Sequence, residues 1–276
     1  MDLASKSEVK SLLKKYRLRP SKGLGQNFLI NRGTIDKVIR AADLKPEDIV
    51  LEIGPGLGVL TRELAKEAKK VIAVEKDPNL AIIMSKELIK EVRNIEVAQG
   101  DILKILNSKL PTPNSYNKVI ANLPFYLTAP VIRKFLESDI QPKLMALIIQ
   151  KEVAQRICAK IPDMNLLAIS VQFYARPKII SYISKKSFWP QPKVDSTIIK
   201  ITTDDRQSGI NKDLFFKIVK AGFSQPRKQL INNLSKKLGI DKIKIESWLL
   251  KNDIQPEQRA ETLTVKDWIK LTETIR

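Results

Sequence analysis

Residues 49–61, which read IVLEIGPGLGVLT, restrict the possible folds of this chain more than any other stretch. They begin with apolar, mostly β-branched residues typical of a buried strand. They continue through a turn that contains Gly54, Gly56 and Gly58, after which apolar residues recur at helical spacing. A strand, a glycine turn and a helix in succession bring a ligand against backbone N–H groups at the start of the helix. We therefore predict a nucleotide-like cofactor niche here, with an ordinary tight turn as the alternative.

The spacing of the glycines favours one cofactor class over another. A dinucleotide-binding fingerprint needs glycine or alanine at its sixth position, and that position is Val59. The pattern found, G-x-G-x-G preceded by Glu52, resembles the first motif of methyltransferases that use S-adenosylmethionine.

The charge of the chain indicates a polyanionic partner. Lys and Arg number 49 against 30 Asp and Glu, which gives a net charge of +19. The excess is spread along the chain, and nucleic acid is its simplest partner. The alternative is a lysine-rich surface with solvated charges.

Composition also excludes several kinds of chemistry. The chain has no histidine and a single cysteine, Cys158. Catalytic triads with histidine, histidine zinc ligands and thiolate cages are therefore excluded, and we expect no metal. No apolar run is long enough to span a membrane, and the first residues lack a signal-peptide pattern. We expect a cytoplasmic protein without membrane contact, and a monomer.

The order of predicted elements indicates an α/β fold. Strands are predicted at residues 70–75, 94–101, 116–123 and 144–150, with later strands at 178–184 and 196–202, and helices alternate with them. This is the pattern of a doubly wound, Rossmann-like parallel sheet, in which ligands bind beyond the carboxyl ends of the strands. Residues 202–213 are polar and are followed only by helical patterns. We predict a catalytic domain over residues 1–205 and a small helical domain over residues 206–276.

Acidic residues end two of the predicted strands. Glu75 follows Gly54 by 21 positions, where a carboxylate can accept both hydroxyls of a ribose. Asp101 ends the next strand and can accept from an adenine amino group, with Ile102 packing on the ring. The alternatives are a surface acid for Glu75 and a helix N-cap for Asp101. Together with Glu52, these acids suit a cationic sulfonium better than a pyrophosphate.

The predicted strand at 116–123 leads into Asn122-Leu123-Pro124-Phe125, which supplies the acceptor chemistry. The segment resembles the Asn/Asp-Pro-Pro-Tyr/Phe motif of methyltransferases that act on exocyclic amino groups. Adenine N6 is a poor nucleophile because its lone pair is delocalised into the ring. The Asn122 side-chain oxygen and the Leu123 carbonyl can accept its two hydrogens and direct the lone pair to a methyl group. Pro124 stiffens the turn, and Phe125 offers a stacking face for an extruded base.

A resemblance to one family extends over almost the whole chain. The chain is similar to the ribosomal RNA adenine N6-methyltransferases, and among them to the dimethyladenosine transferases of the small ribosomal subunit. The segments that carry the resemblance are GQNFL (25–29), EIGPGLGVLT (52–61), VEKD (74–77), GDIL (100–103), ANLPF (121–125), QKEVAQR (150–156), FWPQPKVDS (188–196), FSQPRKQLINNL (223–234) and RAETLT (259–264).

The resemblance implies a fold, a reaction and a set of site residues. It implies a class I methyltransferase fold with a small C-terminal rRNA-binding domain. The implied reaction is S-adenosylmethionine-dependent N6,N6-dimethylation of two adjacent adenosines near the 3′ end of 16S rRNA, during biogenesis of the small subunit. The implied cofactor contacts are made by Asn27 and Leu29 from the N-terminal loop, Gly54 at the methionine part, Gly56 in the same turn, Glu75 at the ribose, Asp101 at the adenine and Asn122, which lies between the cofactor and the target base. Residues 122–125 would hold the target base, with Phe188 facing it opposite Phe125 or, alternatively, packing in the core.

The sequence departs from the family pattern at three places. Phe125 stands where tyrosine is more frequent, NLLAIS (165–170) replaces a segment with an arginine, and Pro226 replaces a second arginine. Methylation of 23S rRNA, as in macrolide resistance, is the alternative with the same chemistry. A non-catalytic RNA-binding assembly or transcription factor is the alternative from another class. A basic dehydrogenase is disfavoured by Val59 and the NLPF segment.

Overall fold

The structure, a computed structural model, describes residues 3–89, 92–105, 116–138, 141–204 and 208–275. It divides into two compact units. The first comprises residues 1–154 and 178–203, and the second comprises 155–177 and 204–276. The predicted domain boundary between residues 205 and 206 lies outside the described residues, so the domain assignment stays a prediction.

Two sheets are formed by strands numbered here in chain order. The strands are β1 (Phe28–Leu29), β2 (Ile49–Ile53), β3 (Lys70–Glu75), β4 (Ile95–Gln99), β5 (Lys118–Asn122), β6 (Leu144–Gln150), β7 (Ala175–Ile183), β8 (Phe188–Trp189) and β9 (Ser196–Thr203). The larger sheet has the order β4-β3-β2-β5-β6-β9-β7, and β1 pairs with β8 in a separate ribbon. Strands β2 to β6 pair in parallel, whereas β9 runs antiparallel to β6. The predicted α/β fold with a parallel sheet is confirmed.

The helices of the described residues follow the strands in alternation as far as β6. They are α1 (Lys6–Lys15), α2 (Arg32–Ala42), α3 (Val59–Glu67), α4 (Pro78–Glu87), α5 (Ile102–Ile105), α6 (Thr128–Leu136), α7 (Lys151–Ile157), α8 (Leu166–Gln172), α9 (Lys212–Gly222), α10 (Leu230–Leu238), α11 (Lys242–Lys251) and α12 (Val265–Thr274). Within the described part of the chain, none of them is long and apolar enough to cross a membrane.

The core of the first unit explains why its central strands are continuous apolar runs. Val50, Leu51, Val119 and Ile120 are fully buried, as expected for a parallel sheet that is covered on both faces. Helix α3 packs on β3, and α4 packs on β3 and β4. The glycine turn joins the end of β2 to the start of α3 and therefore lies at the carboxyl edge of the sheet.

A polar cluster lies at the opposite, amino edge of the sheet. The Asn117 side chain accepts from the backbone N–H of Ile49 at 3.0 Å and donates to the Asp48 carboxylate. Lys118 Nζ lies 2.7 Å from the same carboxylate. Because this edge is remote from the glycine turn, the cluster serves the pairing of β2 with β5.

Several predicted bounds differ from those observed. The helix predicted at 166–175 ends at Gln172, and the strand predicted at 178–184 already begins at Ala175. Phe173 and Tyr174 are buried among other aromatic rings, so their packing decides where the helix ends. The predicted end of the helix at 78–90 and part of the polar segment 202–213 lie outside the described residues.

The second unit is built around aromatic contacts between helices. The Phe173 and Phe215 rings stack with centroids 4.1 Å apart. The Trp268 ring lies against Gly222, where a Cβ atom would come within 2.3 Å of it. Buried Asn233 donates to the carbonyls of Gly222 and Gln225, which fixes the loop between α9 and α10.

Candidate active site at the carboxyl edge of the sheet

The predicted site residues line one cavity of about 350 Å³ at the carboxyl edge of the sheet. The cavity is enclosed by the ends of β2, β3 and β5, the residues after β4, the N-terminal loop and the β8 segment. It is lined, among others, by Asn27, Leu29, Gly54, Gly56, Glu75, Asp101, Asn122, Leu123, Pro124, Phe125 and Phe188. The structure therefore brings together residues that are separated by up to 161 positions in the sequence.

The glycine turn leaves open space for a ligand, whereas the amides of its glycines are hydrogen-bonded within the protein. Gly54 has a φ of +63°, and a Cβ atom built on it would meet nothing within 4 Å. The amide of Gly54 donates to the Val74 carbonyl, that of Gly56 to Glu75 and that of Gly58 to the Pro55 carbonyl. The predicted approach of a ligand to N–H groups concerns the start of α3, at Val59, and stays a prediction. The space beside Gly54 is where a ligand can approach the backbone closely.

Glu75 is held rigidly at the end of β3. Its carboxylate accepts from the Gly56 amide at 3.0 Å and from the Asp77 amide at 2.8 Å. Burial raises the pKa of Glu75, while the amides of Asp77 and Gly56 oppose that change. The side chain is only 6% exposed, so its acceptor capacity is directed into the cavity rather than into solvent.

Asp101 is paired with a lysine that sequence reasoning missed. Its Oδ2 lies 2.9 Å from Lys76 Nζ, and its Oδ1 accepts from the Leu103 amide at 3.1 Å. The Lys76 ammonium holds the pKa of Asp101 below its ordinary value. Asp101 thus makes the N-cap-like bond of the alternative interpretation while also lining the cavity. Lys76 follows Glu75 directly in the sequence, but no sequence pattern indicated that its side chain pairs with Asp101.

Glu52 is the most deeply buried carboxyl group of the site. It is 1% exposed, and burial raises its pKa to about 8. The Thr61 hydroxyl and amide beside it lower this value, and the charge of Glu75 raises it. Its Oε2 atom has no hydrogen-bond partner among the described residues.

Asn122 and Leu123 occupy the turn after β5 with acceptors available. The Asn122 amide nitrogen donates to the Asn27 carbonyl at 3.0 Å, which leaves the side-chain oxygen as the free end of the amide. The Leu123 amide donates to the Ile148 carbonyl at 3.1 Å. No hydrogen-bond donor of the described residues reaches the Leu123 carbonyl. The turn therefore holds two acceptors next to the cavity.

The N-terminal loop is held by contacts with three other segments, one of which is this turn. Gln26 donates to the Asp77 carboxylate at 2.8 Å, and the Ile30 amide donates to the Ser187 carbonyl at 2.8 Å. Gly25, with a φ of +64°, lies so close to Pro124 that a Cβ atom would come within 3.2 Å of the proline ring. A side chain at position 25 would push the loop away from the turn.

The two predicted aromatic residues differ in exposure. Phe125 begins a short 3₁₀ helix (Phe125–Leu127) and is 36% exposed at the cavity mouth. Phe188 is 4% exposed, belongs to the hydrophobic core and pairs with Leu29 in the β1–β8 ribbon. Phe188 lines the cavity and packs in the core at the same time, so the two interpretations of this residue are compatible.

A protein-family model described as "Ribosomal RNA adenine dimethylase" matches residues 18–276. The chain belongs to this family. The match includes the glycine turn, the NLPF turn and the C-terminal helices, so family membership covers both compact units.

Relatives and solved structures agree with this assignment. The "Ribosomal RNA small subunit methyltransferase A" of Dehalococcoides mccartyi strain 195 is 43% identical over 95% of this chain and 90% of its own length. The protein of the same name in Clostridioides difficile is 40% identical over 99% and 96%. The structure of a dimethyladenosine transferase from Plasmodium falciparum matches with a TM-score of 0.74 at 30% identity, over 87% of this chain and 94% of that one. That of the 23S rRNA methyltransferase ErmE matches with a TM-score of 0.73 at 26% identity, over 90% and 98%.

Proposed function

We propose that this adenine dimethylase transfers methyl groups from S-adenosylmethionine to N6 of two adjacent adenosines near the 3′ end of 16S rRNA. The observation that carries the proposal is the Asn122–Leu123 turn. Its two hydrogen-bond acceptors lie next to the cavity that the glycine turn also lines. We further propose that the enzyme acts as a monomer on the small ribosomal subunit in the cytoplasm. The glycine turn and the NLPF turn belong to one chain, which supports a site complete in a monomer.

The residues that line the cavity fit S-adenosylmethionine. The open space beside Gly54 admits the methionine part, where any side chain would protrude. Glu75 would accept the ribose hydroxyls, and Asp101 would accept from the adenine amino group. The carboxyl groups of Glu75 and Asp101 line the cavity, and the amides of the three glycines are already hydrogen-bonded, so the site suits a cationic ligand better than a pyrophosphate. Asn27 and Leu29 close the cavity from the N-terminal side.

The NLPF turn explains why the methyl group is transferred to an amino group. S-adenosylmethionine, when bound, would supply a sulfonium methyl group. The N6 lone pair forms the new N–C bond as the S–C bond breaks, the neutral thioether S-adenosylhomocysteine leaves, and N6 loses a proton to water. The Asn122 side-chain oxygen and the Leu123 carbonyl accept the N6 hydrogens and turn the lone pair out of the adenine ring. Phe125 offers its exposed face to the base, and Phe188 limits the depth of the cavity. This arrangement requires no general base, which agrees with the lack of histidine in the sequence.

The names of the relatives favour the small subunit over 23S rRNA. The fold alone does not discriminate between these two substrates, since the structures of the dimethyladenosine transferase and of ErmE match this chain almost equally well. The relatives with 40–44% identity are named small-subunit methyltransferases. In the second unit, the loop held by Asn233 leaves Arg227 and Lys228 exposed, as expected for a surface that contacts RNA phosphates.

Mass spectrometry of rRNA tests this proposal. We expect purified enzyme with S-adenosylmethionine to form N6,N6-dimethyladenosine on small subunits from a strain that lacks the modification. Large subunits, incubated in parallel, should gain none. Modification of the large subunit alone would favour the 23S alternative. Absence of methyl transfer to either particle would favour the alternative of a non-catalytic RNA-binding factor.

Replacing Glu75 with glutamine is expected to weaken S-adenosylmethionine binding by about 10- to 100-fold. The amide can still accept from Gly56, but it loses the charge that strengthens hydrogen bonds to the ribose hydroxyls. Isothermal titration calorimetry measures the Kd directly. Glu67→Gln, at the exposed end of α3, is the matched control. An unchanged Kd for Glu75→Gln would contradict the assigned ribose contact.

A further inference from the structure

A lysine of the protein itself occupies the acceptor that would receive the cofactor adenine. Lys76 Nζ lies 2.9 Å from Asp101 Oδ2, and both residues line the active-site cavity. The other carboxylate oxygen, Oδ1, accepts from the Leu103 amide at 3.1 Å. Each oxygen of the proposed adenine contact therefore already has a donor within the protein.

The pairing of β3 with β4 holds the two partners next to each other. Glu75 pairs with Gln99 in the register of these strands, and the Gly100 amide donates to the Glu75 carbonyl at 2.8 Å. Lys76 and Asp101 follow immediately after this last backbone bond. Their backbones cannot separate without breaking it, so the ammonium and the carboxylate part most easily by movement of the lysine side chain.

The lysine is not needed to make Asp101 an acceptor. An aspartate is ionised at neutral pH without a cationic neighbour, because its ordinary pKa is about 3.9. The bond from the Leu103 amide already orients the carboxylate. What the ammonium adds is competition, since a charged donor binds a carboxylate more strongly than a neutral amino group does. Its charge also opposes the approach of a cationic cofactor.

Lys76 can leave Asp101 at little cost. The Lys76 side chain is 46% exposed. It also lines a neighbouring depression of about 480 Å³, to which Asp77 contributes as well. An ammonium that leaves Asp101 can therefore stay hydrated and close to another carboxylate. Ion pairs that are open to solvent contribute little to stability, so a ligand can displace this one.

We propose that Lys76 is a specificity-determining residue that competes with the adenine amino group for Asp101 and thereby promotes exchange of the spent cofactor. This inference rests on the proposed function, because it takes S-adenosylmethionine as the ligand and Asp101 as its adenine contact. Dimethylation of two adenosines consumes four cofactor molecules, so S-adenosylhomocysteine must leave the site four times for each particle. An ammonium that replaces the departing amino group at Asp101 stabilises the carboxylate during each release.

Lys76→Met tests the competition, because it removes the ammonium and keeps a side chain of similar length. S-adenosylmethionine and S-adenosylhomocysteine should bind roughly 3- to 10-fold more tightly to this variant in isothermal titration calorimetry. Release of S-adenosylhomocysteine, followed by stopped-flow displacement, should slow by a similar factor. Lys76→Arg keeps the charge and should bind both ligands nearly as the wild type does.

Lys70→Met is the matched control. Lys70 pairs with Glu96 at 2.6 Å across the same two strands, but at the amino edge of the sheet and outside the cavity lining. Its removal breaks an ion pair of the same type and should leave the Kd of both ligands unchanged.

A ligand of opposite polarity separates competition from a general change in the cavity. S-inosylhomocysteine carries an oxygen in place of the adenine amino group, and this oxygen accepts hydrogen bonds instead of donating them. It gains from the Lys76 ammonium, so it should bind more weakly to Lys76→Met than to the wild type. A purely structural role of Lys76 would change the affinities for both ligands in the same direction.

The outcomes separate failure of the competition from failure of the proposed function. Unchanged or weaker binding of S-adenosylhomocysteine to Lys76→Met would overturn the competition, and so would affinity changes of the same sign for the two ligands. If the affinities change as expected but no methyl group reaches small subunits, only the proposed function fails. Absence of S-adenosylhomocysteine binding to the wild type would overturn both.

Discussion

Replacing Asn122 with alanine is expected to lower kcat by roughly 30- to 1000-fold while S-adenosylmethionine still binds. Alanine removes a preorganised acceptor whose interaction with N6 is stronger in the transition state than in the ground state. Loss of such a group costs about 2–4 kcal/mol of transition-state stabilisation. Single-turnover kinetics on unmodified small subunits measure the effect on the methyl-transfer step itself.

Asn117→Ala is the matched control for Asn122→Ala. Both asparagines belong to the β5 segment and both make hydrogen bonds through their side chains. Asn117 lies at the amino edge of the sheet, so its loss should lower stability and leave the methyl-transfer rate of folded enzyme near that of the wild type. Equal rates for Asn122→Ala and the wild type would refute the acceptor role of Asn122.

Replacing Glu52 with glutamine is expected to change the pH dependence of stability more than any other single substitution in the site. The folded-state pKa of Glu52 is raised from 4.5 to about 8, so the folded protein holds a proton that the unfolded chain releases above pH 4.5. The stabilisation is fully present below pH 4.5 and is lost as the pH rises to about 8. Glutamine cannot ionise, so the variant should gain on the order of 4 kcal/mol relative to the wild type over this interval.

Urea unfolding at pH 5, 6.5 and 8 measures this difference. The free energies of unfolding of the wild type and Glu52→Gln should diverge steadily as the pH rises. Glu96→Gln, which removes a half-exposed carboxylate from β4, controls for the loss of one acid. Parallel pH profiles for Glu52→Gln and the wild type would show that the Glu52 carboxyl is not protonated in the folded protein.

The sequence permitted a close prediction of the site because of the geometry of parallel sheets. Gly54, Glu75 and Asn122 each stand at or directly after the carboxyl end of a strand, and such ends share one edge. The apolar runs predict strands that begin at residue 49 and at 70–75 and 116–123, and the convergence of these residues follows from them. Asn27 and Leu29 were different, since a two-residue strand has no periodicity, and only the family resemblance placed them at the site.

Other features depended on contacts that no local pattern records. The antiparallel direction of β9 follows from its path beside β6, not from its residues, which resemble those of the parallel strands. The pairing of Lys76 with Asp101 joins two strand ends through long side chains. The hydrogen bonds of the glycine amides could not be predicted, because sequence spacing shows where a turn lies but not what its N–H groups meet.

The bond between Asn122 and the Asn27 carbonyl decides whether the site attracts or repels an amino group. An amide has a donor end and an acceptor end, and a rotation of 180° about its last bond would present N–H groups to the N6 hydrogens. The partner that prevents this rotation is a backbone atom, so the Asn27 side chain acts on it only through the path of the loop, which it helps to hold by donating to the Gly25 carbonyl at 3.0 Å. The path of the loop is not free to change, because a small displacement removes the only restraint on the amide that the described residues provide. Substitutions that move this loop should therefore inactivate the enzyme through inverted polarity while every residue of the NLPF turn is still present.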